Sequence, residues 1–569
     1  MALRLGEILV EKGIITAKEL ELAVTQQQKT KKLLGQILLE MGLITEKKLL
    51  QILAEQQGVA FVELKNIKVD EKVLKAVPAK FVWHYKIMPV SIEENVLTIA
   101  ISNPFEVWPI DDLESHLGLR VEKVLATSED IFSTIKKYYG VAAETIERLL
   151  TESPGETARE GFSKQETAIE DLERMSEDAS VIRLVNQILH QAINDRATDV
   201  HLEVFRNDLA LRYRIDGILY DTPVSDNIKY LYPAIISRIK VMAGLDIVER
   251  RLPQDGRAKV KIADKEYELR VSVIPTLYGE NIVVRILPTT MLFDIANLGV
   301  SKSDLQTLGQ LISKPNGIIF VTGPTGSGKT TTLYACLSKL NTRSRKILTI
   351  EDPAEYELKG VSQTQINSKI GVTFAAMLRS MLRHDPDIMM VGEVRDFETA
   401  EITIQTALTG HLVFSTLHTN DAASGITRLI DIGIEPYLIA SSVEAFIAQR
   451  LVRVICDKCK AEDRGQMSEV RAQIENDLKD EIREKKSDIK IYKGKGCKAC
   501  NNTGYMGRTG IYEFLLVNDE IRKLILQKTS SDIIKKKAVE LGMKVLRQDG
   551  WEKVLAGITT PEEVMRVTQ

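Results

Sequence analysis

The residues best suited to chemistry are Gly323-Pro-Thr-Gly-Ser-Gly-Lys-Thr330, which read G-x-x-x-x-G-K-T. The preceding Gly317-Ile-Ile-Phe-Val-Thr322 is apolar and β-branched, and the following Thr331-Thr-Leu-Tyr-Ala-Cys-Leu-Ser338 suits a helix. A strand, a glycine-rich turn and a helix start form the setting in which a backbone cradles phosphates. Gly323, Gly326 and Gly328 permit the tight turn that brings N–H groups to an anion. The helix N-terminus adds positive dipole at the same place. The loop therefore predicts a nucleoside triphosphate site, read as ATP, formed by Gly323, Pro324, Thr325, Gly326, Ser327, Gly328, Lys329, Thr330 and Thr331. Lys329 is placed to reach the β- and γ-phosphates, and the Thr330 hydroxyl to ligate magnesium.

Carboxylates follow at the ends of strand-like runs. The run 346–350 leads into Thr349-Ile-Glu-Asp-Pro-Ala-Glu-Tyr356, which sets Glu351, Asp352 and Glu355 where the ligand crevice of an open α/β sheet lies. Ile388–Val391 has a buried-strand pattern and ends in Gly392-Glu393. The usual Walker B strand ends in Asp-Glu, with the aspartate holding magnesium. Here Gly392 takes its place, leaving Thr330, water and the upstream carboxylates to hold the metal. Glu393 remains placed to polarise an attacking water. An isolated apolar run with a glutamate reads as a plain core strand; its position downstream of the phosphate loop favours the catalytic reading. Thr409-Gly-His-Leu-Val-Phe-Ser-Thr-Leu-His418-Thr-Asn-Asp421 brackets a further strand with two of the chain's seven histidines. His418 is a candidate γ-phosphate sensor, and His411 is equally compatible with a structural role.

Cys456-Asp-Lys-Cys459 and Cys497-Lys-Ala-Cys500 use four of the five cysteines in two C-x-x-C pairs. Two such knuckles suit one tetrahedral zinc, structural because no coordination position stays open. Redox-active pairs are the alternative, but no thioredoxin-like context surrounds them. The charged stretch 460–496 between the pairs predicts a solvated helical insertion.

These residues sit in a chain of 569, long enough for about three to five domains. With 44% hydrophobic and 27% charged residues, the composition is that of a soluble globular protein. A net charge of −3 supplies no global basic field, so no nucleic-acid partner is expected. No long uncharged apolar run suggests a membrane span. The first residues lack the apolar core of a signal peptide, and the cysteine usage suits a reducing compartment, so a cytoplasmic location is expected. Residues 1–65 contain a repeat: Arg4-Leu-Gly-Glu-Ile-Leu-Val-Glu-Lys-Gly13-Ile-Ile matches Leu33-Leu-Gly-Gln-Ile-Leu-Leu-Glu-Met-Gly42-Leu-Ile at an offset of 29 residues. Each copy predicts a short amphipathic helix stopped near its glycine, then a second helix. Taken alone, this is a helical bundle made by duplication. Residues 66–140 alternate helix and strand patterns as a small α/β domain. Residues 141–179, acidic and poor in large apolar side chains, read as a flexible linker. Residues 180–290 predict an α+β domain, with strands over Asp199–Val204 and Leu209–Ile215 and a hairpin signal at Asp216-Gly217. Residues 291–569 hold the nucleotide-binding core and end in helices over 518–569.

The tandem repeat is similar to the N-terminal cyclic-di-GMP-binding domain of some secretion and pilus ATPases. Arg4, Leu5, Gly6, Gly13, Leu20, Val24 and Gln27 fit the first copy of that motif, and Leu34, Gly35, Gly42, Leu49, Leu53 and Gln56 the second. Leu33 stands where the first copy has Arg4. The boxes G-P-T-G-S-G-K-T, I-E-D-P-A-E-Y, M-V-G-E-V-R-D and T-G-H-L-V-F-S-T-L-H-T-N-D resemble, in order, the Walker A, Asp, Walker B and His boxes of the secretion ATPase superfamily. The resemblance spans the chain from about residue 180. It implies a RecA-like P-loop core with a zinc-knuckle insertion and a ring-shaped homo-hexamer. It places ATP between two domains of a subunit, with neighbouring subunits completing some sites. It further implies arginine fingers at Arg270 and Arg285; ordinary strand ion pairs are the alternative for both. Residues 66–140 resemble the family's domain that docks on an inner-membrane platform protein. The function implied is a type IV pilus extension motor. The rivals are a type II secretion ATPase and a regulatory nucleotide-binding module with weak hydrolysis.

Overall fold

The computed structural model describes all residues but 1–4, 31, 106–107, 141–144, 146–178, 207, 226, 263, 290–292, 464–472, 475–476, 479–489 and 569. Arg4 lies outside the described residues, as does the expected linker except Thr145 and Ala179. The chain divides into two compact units, Met1–Leu287 and Pro288–Gln569.

The first unit opens with two helices per repeat, Leu5–Glu11 and Ala17–Thr30, then Leu34–Glu40 and Glu46–Gln57. Gly13 and Gly42 follow the first helix of each pair with φ of 66° and 69°, a left-handed turn that a β-carbon opposes. A three-stranded sheet comes next: β1 (Met88–Glu93), β2 (Val96–Ile101) and β3 (Arg120–Leu125), with β2 antiparallel to β1 and parallel to β3. One apolar core running from Leu9 to Ile135 joins the repeat to this sheet, so the two regions share an interior.

The rest of this unit is a six-stranded sheet made of β4 (Ala197–Val204), β5 (Leu209–Ile215), β6 (Ile218–Asp221), β7 (Gln254–Ile262), β8 (Lys265–Thr276) and β9 (Gly279–Pro288). Its order is β6-β5-β4-β9-β8-β7. Alternation puts Leu209, Leu211 and Tyr213 of β5 inside, against the helices Ala179–Asn194 and Ile228–Met242. Asp216 and Gly217, with φ of 50° and 89°, make the expected tight hairpin.

The second unit is built on a seven-stranded sheet of β10 (Gly317–Thr322), β11 (Ile347–Glu351), β12 (Ser362–Gln365), β13 (Ile388–Val391), β14 (Leu412–Leu417), β15 (Val443–Ile455) and β18 (Tyr505–Leu516). The order is β12-β11-β13-β14-β10-β15-β18, and only the β15–β18 pairing is antiparallel. Every residue of β10, β13 and β14 is buried, as expected of parallel strands covered on both faces. Ile318 and Phe320 enter one apolar cluster, Ile319 and Val321 the other.

The solvated helix expected over 460–496 falls largely outside the described residues, and the described part departs from it in two places. Its ends, β16 (Lys460–Glu462) and β17 (Tyr492–Gly494), pair as an antiparallel ribbon. Ile474 and Leu478 are buried with Trp551, Val554 and Val564. The surrounding charge masks these two apolar residues in the sequence. Four C-terminal helices follow, Asp519–Leu526, Ser531–Glu540, Leu546–Leu555 and Pro561–Thr568. Among the described residues no helix is long and apolar enough to cross a membrane.

Candidate functional site

β10, β14, β13 and β11 run parallel, so their C-terminal ends share one edge of the sheet. That edge receives the loop 323–330, His418, Glu393 and the segment 351–355. Gly323 N–H donates to Leu417 O at 3.3 Å, fixing the loop beside the strand that delivers His418. His411 lies at the far end of β14, where its carbonyl accepts Gly317 N–H. Its ring Nδ1 is 2.9 Å from Thr406 O and 3.1 Å from Thr409 Oγ1. The structure therefore separates the two histidines that the sequence brackets together.

At Gly323 and Gly328 the loop has no room for a side chain. An added Cβ on Gly323 would stand 2.6 Å from Ser327 Oγ and 2.7 Å from Gln449 O. On Gly328, with φ of 88°, it would stand 2.7 Å from Gln449 Nε2. Among the described residues Ser327 Oγ is buried without a hydrogen-bond partner, a cost that a phosphate oxygen would relieve. Pro324, Thr325 and Gly326 are exposed, and Thr330 and Thr331 are half-buried in the first turn of the helix Lys329–Leu340. Lys329 Nζ donates to Gly323 O at 2.8 Å and Pro324 O at 3.1 Å. Burial pushes its pKa down to about 8, with Glu393 opposing that shift and Arg450 adding to it. An orphan hydroxyl, a glycine-lined cradle and a desolvated lysine together fit a triphosphate with its magnesium.

Glu393 projects from the end of β13, with Oε2 2.7 Å from Arg395 Nε and 3.3 Å from His418 Nε2. The glycine before it has a steric reason. A Cβ at Gly392 would stand 3.1 Å from Ile350 O and 3.4 Å from Glu351 Cα, so an aspartate there would crowd β11. The three upstream carboxylates separate from one another. Glu351 is 3% exposed and accepts from Tyr334 Oη, from Thr349 Oγ1 at 2.7 Å and from Gln363 Nε2 at 2.9 Å. Its oxygens are committed to the protein, which leaves little capacity for a metal. Asp352 lines a cleft with Gln365, Ile366, Asn367, Ser368 and Lys369. Glu355 N–H donates to Tyr334 Oη at 3.3 Å.

In the first unit, Arg270 and Arg285 occupy the polar face of the six-stranded sheet, since Leu269, Val271, Val284 and Ile286 fill the apolar one. Arg285 Nε pairs with Asp199 Oδ1 at 2.9 Å, and Arg270 Nε with Glu268 Oε1 at 3.4 Å. Arg257 stands directly opposite Arg270 in the β7–β8 register. Like charges directly opposed across a ladder are destabilising, and the Glu268 carboxylate beside Arg270 offsets this. Arg257 escapes the sequence reading, although the alternation of β7 puts it on the exposed face of the strand. Gln449 carries no such signal: it is 1% exposed and accepts from Thr332 Oγ1 at 2.7 Å, against the phosphate loop.

The four knuckle sulfurs lie within 4.8 Å of one another. The pairs Cys456–Cys497, Cys459–Cys500 and Cys497–Cys500 are 3.8, 3.8 and 3.7 Å apart. A tetrahedron with metal–sulfur bonds of about 2.3 Å has edges of about 3.8 Å. Burial disfavours the Cys500 thiolate, but backbone N–H groups of Cys497 and Gly504 with the Cys497 and Cys459 thiols outweigh it and bring its pKa to about 7, whereas burial pushes the Cys459 thiol up to about 12. The donor set fits zinc.

In the repeat, a Cβ on Gly6 would stand 2.7 Å from Leu20 Cδ1 and one on Gly35 3.1 Å from Leu49 Cδ2, so these glycines admit helix against helix. Leu5 and Leu34 pack on the shared core. Gln27 Nε2 donates to Lys32 O at 3.2 Å, and Gln56 is exposed near the end of its helix.

A family model described as "Type II/IV secretion system protein" matches residues 174–566. A second, "MshEN domain", matches residues 57–145, the small α/β region rather than the tandem repeat. The type IV pilus assembly ATPase PilB of Myxococcus xanthus is 41% identical over 570 residues, covering 99% of each chain. The type II secretion system protein HxcR of Pseudomonas aeruginosa is 46% identical over 488 residues, covering 84% of this chain and 96% of that one. A solved structure of MshE with cdg is 28% identical, covering 24% of this chain and 99% of that chain, with a TM-score of 0.23. With its phosphate loop, Glu393 and His418 at one sheet edge, the chain belongs to the type II/IV secretion system protein family of ATPases.

Proposed function

We propose that this chain is the ATP-hydrolysing motor, acting as a homo-hexamer, that powers assembly of a type IV pilus by moving an inner-membrane platform protein. The observation that carries the reading is the convergence of Lys329, Glu393 and His418 at one edge of a parallel sheet. Likeness to a pilus assembly ATPase over 99% of both chains supports the choice of machine. Lys329 exchanges the carbonyls of Gly323 and Pro324 for the β- and γ-phosphates, and Ser327 Oγ gains a partner. Magnesium, when bound, neutralises phosphate charge, with Thr330 as its protein ligand. Glu393 takes the proton of the attacking water as the new P–O bond forms and the β–γ bridge breaks. His418 and Arg395 hold that carboxylate in place. Arg270 and Arg285, with Arg257 alongside, are γ-phosphate ligands from a neighbouring subunit, where a guanidinium stabilises transferring charge.

Steady-state ATP turnover tests this reading. Glu393→Gln should lower kcat by about 10²- to 10⁴-fold with ATP binding retained; unchanged turnover would leave a regulatory nucleotide-binding module. The type II secretion machine is the second reading, favoured by relatives named for that system. Expression in strains lacking either motor separates the two, by the return of surface pili or of protein export. The cysteine set is proposed to hold one structural zinc. Metal analysis of natively purified protein should find about one zinc per chain, and finding none overturns that assignment. The tandem repeat, with Arg4, Leu5, Gly6, Gly13, Gln27, Leu34, Gly35, Gly42 and Gln56, is proposed as a cyclic-di-GMP site that regulates the motor.

A further inference from the structure

The C-terminal helices reach the edge of the sheet that carries His418. Lys535, on the helix Ser531–Glu540, donates to Asp421 Oδ2 at 3.0 Å and stands 3.9 Å from Glu513 Oε2. Asp421 closes the segment that begins at His418. Its Oδ1 accepts Ser424 N–H at 2.8 Å, at the start of the helix Ala423–Ile432. Its carbonyl accepts Thr419 Oγ1 at 3.0 Å and Thr322 Oγ1, from the residue before Gly323, at 3.5 Å. Glu513 is 1% exposed and accepts Ala422 N–H at 3.0 Å and Leu546 N–H at 3.4 Å. Arg450 donates to Asn420 O at 2.7 Å. Residues 418–422 are thus gripped from β10, β15 and β18 and, through Lys535, from a helix more than a hundred residues downstream.

Lys535 is the cation between two carboxylates that belong to different elements. Burial pushes the Glu513 pKa up, and Lys535 is the first group opposing that rise. Without the ammonium, Asp421 and the buried Glu513 repel each other, and a buried charge left unpaired is strongly unfavourable. The segment would then relax away from Glu513, carrying His418 off the 3.3 Å contact with Glu393. We propose that Lys535 is a positioning residue for ATP hydrolysis, holding residues 418–422, and so His418, in the arrangement that Glu393 requires. This inference rests on the ATPase reading above.

The test uses the full-length chain in wild-type, Lys535→Met, Lys535→Arg and Glu513→Gln/Lys535→Met forms, with ATP turnover, binding of a fluorescent ATP analogue and thermal melting measured on each. Misplacement of a catalytic group by about 1 Å costs on the order of 100-fold. Lys535→Met should therefore lose about 10- to 100-fold in kcat, with analogue affinity and KM close to wild type. Lys535→Arg should restore most of the loss, and the double variant part of it, because removing Glu513's charge removes the repulsion. Should Lys535→Met fail to fold, Lys535→Gln carries the same comparison. Wild-type turnover with an unchanged kcat in the variant overturns the inference, as does a loss matched by the fall in folded fraction. A wild type that hydrolyses nothing overturns the ATPase reading instead.

Discussion

The tandem repeat and the phosphate loop both place glycines at fixed spacings, and the structure uses them for opposite ends. In the repeat, Gly6 and Gly35 admit leucine side chains of the partner helix, while Gly13 and Gly42 end helices. The space at Gly6 and Gly35 is filled by protein. In the phosphate loop, Gly323 and Gly328 bring the backbone against Gln449, and the cradle ends on a buried hydroxyl with no partner among the described residues and a lysine donating to its own loop. A packing glycine leaves nothing unsatisfied, whereas a binding glycine sits among groups that await a ligand. The nucleotide site therefore stands on its own geometry, and the cyclic-di-GMP reading stands on resemblance.

The sharpest way to break this contrast is to fill the cradle. Gly323→Ala adds a carbon 2.7 Å from a backbone carbonyl at a φ of 151°. ATP affinity should fall by about 100-fold or more, with strain of about 1–3 kcal/mol against the loop; normal binding of a fluorescent ATP analogue would show that the cradle is looser than described. The next effect is on pH. Lys329 is charged below its pKa of about 8 and loses its proton as pH rises through that value. A bound triphosphate favours the charged form, so affinity is full below about pH 8 and falls above it, by up to about tenfold per pH unit. KM for ATP should follow that course in the wild type, and Lys329→Arg, charged throughout, should remove the dependence. Smaller again is the expected change in the repeat. Arg4→Ala should weaken cyclic-di-GMP binding to the full chain by about tenfold by calorimetry, the scale of a cation stacked on a base; no binding by the wild type removes the ligand altogether. Smallest is Gly6→Ala, which meets only the end of Leu20. Leu20 can turn aside and alanine favours helix, so unfolding by denaturant should shift by no more than about 1 kcal/mol.

Much of the site was legible in the sequence. β13 matches Ile388–Val391, β14 lies between His411 and His418, and the phosphate loop links a buried strand to a helix. These features are local: a periodicity, a glycine spacing, a charged residue at a strand end. The arrangement of carboxylates was not legible, because adjacent residues leave a strand end in different directions. Glu351 turns inward to Tyr334 and Gln363, and Asp352 outward to a cleft. Gln449 and Lys535 carried no local signal either, since their partners are 117 and 114 residues away.

The sequence by itself determined which groups exist to do chemistry: a phosphate loop, a glutamate behind an apolar strand, four thiols in two pairs. It also marked the absent Walker B aspartate. Only the tertiary structure decided why that position is glycine, because the crowding carbonyl of Ile350 belongs to a neighbouring strand 42 residues earlier. It likewise decided which histidine reaches Glu393 and which helix steadies it. Residue type and spacing follow from short-range chemistry, whereas burial, pairing and the direction of a side chain depend on contacts that form only when distant segments meet.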